Sequence, residues 1–170
     1  MDTHEGMAEL YKKYRRIAVY AIMLGIAYVI VGASEFALGL WDLFSLGTVN
    51  FFGVPIDLFG GFAAVVIGAT YLGAVLVLKG RYESLGFILI GTFLSAVFGV
   101  LYLLIVGADG FKSLLAFWEG QEWTWEWLTK GSADSGLFRP EIWLFFASLP
   151  LAYFTLKITK KGGSNKSTRL

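Results

Sequence analysis

One acid stands inside an otherwise apolar run. Glu35 lies within residues 17–40, where Ser34 is the other break in the hydrophobic pattern. A carboxylate in the hydrocarbon of a bilayer costs ~2.5–3.5 kcal/mol or more unless it is protonated or paired. The chemistry open to Glu35 is therefore an ion or proton site, or the rim of a headgroup pocket. The structural alternative is a protonated acid bonded to a backbone carbonyl, or a carboxylate reaching water at the edge. Tyr28 and Asp42 stand one heptad away on either side and share its stripe. Trp41, an interface marker, follows six residues later, so Glu35 sits roughly 9 Å deeper at the helical rise. Gly32 and Gly39 flank it, which points its side chain toward protein.

A second stretch with chemical potential is EWTWEWLTK, Glu122 to Lys130. Trp123, Trp125 and Trp127 alternate with Glu122, Thr124 and Glu126. An aromatic shelf beside acids could hold a glycan or a quinone head, whereas the same indoles serve as an interface belt in many membrane proteins. Read as helix, Phe111, Leu114, Trp118, Trp125 and Leu128 share one face, with Glu119, Glu122 and Glu126 beside it. Gly120 divides that helix into two. Read as strand, the stretch has no alternating partner nearby. The expectation is one or two short interfacial helices lying in the headgroup plane. Trp123 and Trp127 then face elsewhere, toward a partner surface. The three glutamates could hold a divalent cation, though a solvated face is the more ordinary role.

Other chemistry is excluded or lacks a motif. The chain has no cysteine, and its one histidine, His4, lies in the polar N-terminal region. Thiolate metal sites, disulfides and cysteine nucleophiles are ruled out. There is no phosphate-binding loop in a suitable setting, no Ser/His/Asp set and no metal-ligand cluster. No metal or cofactor is expected, and the balance leans away from an enzyme.

The elements that position these residues are membrane spans. Hydrophobic residues make up 56% and charged residues 16% of the 170 positions, against about 25% charged in soluble domains. Mean hydropathy is +0.65. Four runs approach or reach the ~20 residues that a bilayer core requires. They are 17–40, 61–78, 85–106 and 140–158. The predicted fold is an all-α integral membrane protein, a four-transmembrane-helix bundle. Between the spans lie an N-terminal tail 1–16, an outer apolar loop 41–60, a link 79–84, an outer tryptophan-rich loop 107–139 and a C-terminal tail 159–170. The first span reads as a retained signal anchor. Pro140 suits the first turn of span four, and Pro150 should kink it.

Basic residues set the expected orientation. Lys12, Lys13, Arg15 and Arg16 precede span one, Lys79 and Arg81 follow span two, and Lys157, Lys160, Lys161, Lys166 and Arg169 close the chain. The opposite side has Lys112, Lys130 and Arg139, among acids that include Asp57, Asp109, Asp134 and Glu141. Both termini are expected in the cytoplasm and the protein in the plasma membrane. The basic clusters suit anionic lipid rather than nucleic acid. The outer loop has no basic residue and carries Phe51, Phe52 and Phe59, so it should fold back over the bundle as a plug or lid.

Small residues mark the expected helix contacts. Ala18, Gly25, Gly32 and Gly39 recur every seven residues in span one. Gly60, Ala64 and Gly68 in span two, and Gly91, Ser95 and Gly99 in span three, recur every four. "GIAYVIVG" and "IDLFGGFAAVVIG" resemble segments of the DoxX-like four-helix membrane proteins. The resemblance is limited to those two stretches and carries no residue role or activity. The functional expectation is a non-catalytic subunit of a membrane assembly. A homo-oligomeric transporter or channel using Glu35, and a quinone-reactive subunit with its site at the outer mouth, are the rival readings.

Overall fold

The computed structural model describes residues 3–44, 57–81, 84–132 and 135–164, with side chains from 12 to 157 within those segments. Its helices are α1 (Thr3–Leu43), α2 (Leu58–Leu72), α3 (Val75–Leu78), α4 (Leu85–Trp118) and α5 (Pro140–Ser164), with one-turn 3-10 helices at Glu126–Leu128 and Gly136–Phe138. Among the described residues, three stretches are long and apolar enough to cross a membrane: Lys12–Leu43, Leu58–Leu78 and Leu85–Trp118.

The glycine seam explains how α1 meets α2. A Cβ on Gly32 would lie 2.6 Å from Gly61 O and 2.7 Å from Val65 N, and one on Gly68 would lie 2.7 Å from Gly25 O. Gly39 faces Leu58. The order of these pairs makes the two helices antiparallel, with backbones too close for any side chain. In lipid, where water expels nothing, that proximity supplies the van der Waals attraction holding helices together. Of the two adjacent glycines near the start of α2, Gly61 faces α1, whereas Gly60 faces the Tyr102 hydroxyl.

The remaining helices close the bundle. α5 packs along α4 and α1, and α4 also meets α2. Gly99 makes room for the Phe145 ring and Gly91 for that of Tyr71. In α5 the buried residues Ile142, Phe145, Ser148, Leu151 and Thr155 form one stripe, while Trp143, Phe146, Leu149, Tyr153 and Phe154 face outward. Pro150 lies inside α5. It has no N–H to offer the preceding turn, and the Tyr20 hydroxyl donates to the Ala147 carbonyl of that turn at 2.8 Å.

Several boundaries differ from expectation. α2 starts a turn before Gly61 because Asp57 caps it, its carboxylate accepting from Gly60 N at 2.8 Å. α4 continues through Gly107 and Gly110 to Trp118, so residues 107–118 extend the third span and form no separate interfacial helix. It ends where Gly120 takes φ +92°, a conformation that favours glycine. Beyond it, residues 122–130 hold no α-helix but the single 3-10 turn. The outer loop with Phe51 and Phe52 lies outside the described residues. Phe59 is on α2 and 82% exposed on the apolar outer surface.

Candidate functional site

Glu35 is completely buried, and the charged groups that act on it come from the start of α5 and the cap of α2. Pro140 forces the residue before it into an extended conformation, and Arg139 has φ −60° and ψ 124°. This turns the Arg139 guanidinium inward at the start of α5, where it is only 3% exposed. Its Nη2 donates to Asp57 Oδ2 at 2.6 Å and its Nε to Glu141 Oε2 at 3.2 Å. Its guanidinium carbon lies 3.9 Å from the centre of the Tyr102 ring. Tyr102 in turn donates its hydroxyl to Asp57 Oδ2 at 2.8 Å. Asp57 thus caps α2 and ties it to α4 and to the start of α5.

Asp57 is held below the ordinary carboxylate range. Burial alone would raise it, but the Gly60 N–H, the Tyr102 hydroxyl and the Arg139 charge together outweigh that effect. Burial works against the Arg139 charge too, and is outweighed by Glu141, Tyr102, Asp57 and Glu35, which push its pKa up.

Glu35 has a different standing. Glu141, Arg139 and Asp57 all act on it electrostatically, and the Glu141 carboxyl is close enough for hydrogen bonding. Yet among the described residues no N–H or hydroxyl group donates to either oxygen of Glu35, nor to Glu141 Oε1. Two ionised carboxylates only accept, so such a neighbouring pair completes a hydrogen bond only when one of them holds a proton. Glu141 is itself 3% exposed.

A second polar group lies deeper in the bundle. The hydroxyls of Tyr28 and Ser95 are hydrogen-bonded, Ser95 Oγ donates to Ser148 Oγ at 3.3 Å, and Ser148 Oγ to Phe145 O at 2.7 Å. Alongside, Tyr71 donates to Thr92 Oγ1 at 3.0 Å, and the Tyr28 and Tyr71 rings stack 6.0 Å apart. Tyr28 therefore serves Ser95 rather than Glu35. A narrow seam lined by Tyr28, Ser95, Tyr102 and Glu141 runs between the two polar groups, too tight to admit a water molecule.

The other sequence candidates lie apart. Asp42 is exposed at the end of α1 and does not join Glu35, although the heptad puts both on one stripe. Trp118 is exposed at the end of α4. Trp123, Trp125 and Trp127 form neither a helix face nor a strand. They follow Phe117 in one aromatic row, with centroid separations of 6.1, 5.5 and 6.3 Å. The row is anchored where Trp127 fills the space over Gly110 and packs on Tyr102, Val106 and Ile142. Asp109 holds the loop, accepting from Ser132 N at 2.6 Å and Ser132 Oγ at 2.7 Å. Glu119, Glu122 and Glu126 are exposed, and the described residues contain no metal-binding cluster of acids.

Arg139, Glu141, Asp57 and Tyr102 were not legible as a site. The first three read as ordinary charges of the outer face. The signals that could have found them are slight: an arginine held extended by the proline after it, and an acid at a helix cap position.

No curated protein and no solved structure matches the chain. The family profile of the MJ0565 integral membrane domain matches residues 12–158, which takes in α2 and α4, most of α1 and α5, and the whole buried site. The apolar stretches and that match make this a multi-pass membrane protein, and the chain belongs to the MJ0565 integral membrane domain family.

Proposed function

We propose that this chain is a non-catalytic membrane protein that takes up and releases a proton, or a small cation in its place, at the Glu35–Glu141 pair. It would do so in the plasma membrane, together with other membrane subunits or further copies of itself. The observation that carries this reading is two neighbouring buried carboxyls of which both Glu35 oxygens and Glu141 Oε1 have no donor among the described residues, Arg139 serving only Glu141 Oε2. Three carboxyls, Glu35, Asp57 and Glu141, share the one guanidinium of Arg139. Leaving a buried acid ionised without a partner is costly, and a bound proton removes that cost. The hydroxyls of Tyr28, Ser95 and Ser148 offer a route deeper into the bundle. The dry seam before them favours an occluded carrier-like state over an open channel, and the small bundle favours a pathway completed by a neighbour.

This reading takes α5 as a fourth span, with both termini in the cytoplasm. Its support is the outward face of α5, which is apolar at Trp143, Phe146, Leu149 and Phe154. A helix apolar on all sides belongs in lipid or in a protein core.

Proton flux in liposomes tests the proposal, with a pH-sensitive dye inside. Glu35→Gln and Glu141→Gln should each remove proton uptake while the helical signal is retained, because the amide supplies the missing donor without carrying a proton. Wild-type flux in both variants would discard the pair as the site.

A further inference from the structure

At the end of the bundle opposite Arg139, α1 and α5 part to form an open cleft of about 680 Å³. The separation has a local cause. α1 is drawn tightly onto α2 by its glycines, and near this end it reaches α5 through Tyr20, which lines the cleft and whose hydroxyl donates to Ala147 O. Pro150, on the next turn of α5, lines the gap.

The cleft is amphipathic along its length. Ile17 and Leu151 form a buried floor, and Pro150 and Phe154 form an apolar wall. Lys12, Lys13 and Arg16 stand at the rim, one helical turn of α1. They make no ion pair among the described residues, where Arg139 accounts for both salt bridges. Among the described residues no acid lines the cleft. A cation cluster whose role was to anchor the helix in the headgroup zone would have no need of an apolar trough beneath it.

We infer that this cleft is a binding site for one anionic phospholipid, its phosphate held by Lys12, Lys13 and Arg16 and an acyl chain lying on Ile17, Leu151 and Phe154. Basic pockets between transmembrane helices suit such headgroups, and the volume falls within the range of small-ligand sites. Charge decides against a zwitterionic lipid, whose choline would meet the same three cations. The chain's own surface argues against a second copy as occupant: the rim would bring like charges together. The inference is independent of the Glu35–Glu141 proposal.

Native mass spectrometry of the full chain, released from nanodiscs of equimolar phosphatidylglycerol and phosphatidylcholine, tests it. One retained phosphatidylglycerol per chain is expected, in preference to phosphatidylcholine. Combined Lys12→Gln, Lys13→Gln and Arg16→Gln should weaken its binding on the order of a hundredfold, from roughly fivefold per cation near an anionic lipid. Lys12→Arg, Lys13→Arg and Arg16→Lys together should retain it. Phe154→Glu keeps all three cations yet sets a carboxylate in the trough, and should also release the lipid. Retention that is equal for both lipids, or graded over several copies with no single stoichiometry, would overturn the site. So would undiminished retention in Phe154→Glu, or a dimer that forms through this face.

Discussion

Asp57 shows how one side chain can do three structural jobs. It accepts from the Gly60 N–H in the first turn of α2, receives the Tyr102 hydroxyl, and pairs with Arg139. Because its folded pKa lies below the unfolded value, its contribution is fully present above the ordinary carboxylate pKa of about 4. That contribution is lost as the pH falls through the lower, folded value. Asp57→Asn should therefore cost on the order of 2 kcal/mol near neutral pH, the scale of a charged hydrogen bond. The gap between variant and wild type should close in acid. Thermal unfolding in detergent, followed from pH 7 downward, checks this; a gap that stays constant down to the most acid point would contradict it. Glu35 is the contrasting residue. Its depth in span one could be read from the run around it, but its neighbour Glu141 could not, because Glu141 stands beside the guanidinium and proline of a loop edge and looks like any surface acid.

At the scale of elements, the α1–α2 pair is fastened by missing side chains. Gly32 has Gly61 O, Val65 N and Ala64 Cβ within 2.8 Å of where its own Cβ would stand. Gly32→Ala must push backbone from backbone, and should destabilise the bundle by about 1–3 kcal/mol, the usual scale of overpacking. Gly86→Ala, where nothing lies within 4 Å, should be neutral or slightly stabilising, as alanine favours helix. Unfolding of the two variants in the same detergent compares them directly, and equal stability would deny the seam its role. The seven-residue spacing made the seam on α1 readable. The matching choice of Gly61 over Gly60 on α2 was not, since adjacent glycines look alike until the partner helix selects a face. The tryptophan stretch failed for a related reason. Its alternation suited a strand and its end signals suited a helix, yet Gly120 reverses the chain and Gly110 admits Trp127, so the indoles stack in a row. Such aromatic pairs contribute about 0.5–1.5 kcal/mol each, enough to decide a short loop with weak local preferences.

At the scale of the whole molecule, α4 has 34 residues and so runs to about 51 Å. A hydrocarbon core of ~30 Å cannot contain it. Part of it must extend past that core, and its C-terminal turns carry the tryptophan row. The absence of native cysteine makes topology directly measurable. In intact cells, Lys130→Cys should react with a membrane-impermeant maleimide. Lys12→Cys and Lys157→Cys should react only after permeabilisation. Labelling of Lys157→Cys together with Lys130→Cys would show that α5 does not cross.

The sequence by itself determined that this is a helical membrane protein with a small-residue seam and a buried acid in its first span. Those properties follow from hydropathy and spacing along one dimension, where length and period suffice. Tertiary structure decided which charges meet. Arg139 and Asp57 are 82 positions apart, and nothing local separates them from the exposed acids around them. A charge becomes a site only when neighbouring helices enclose it, remove its water and leave it a specific set of partners. That enclosure depends on which faces the helices turn toward one another, and here the glycine seam, the Asp57 cap and the extended Arg139 set those faces together.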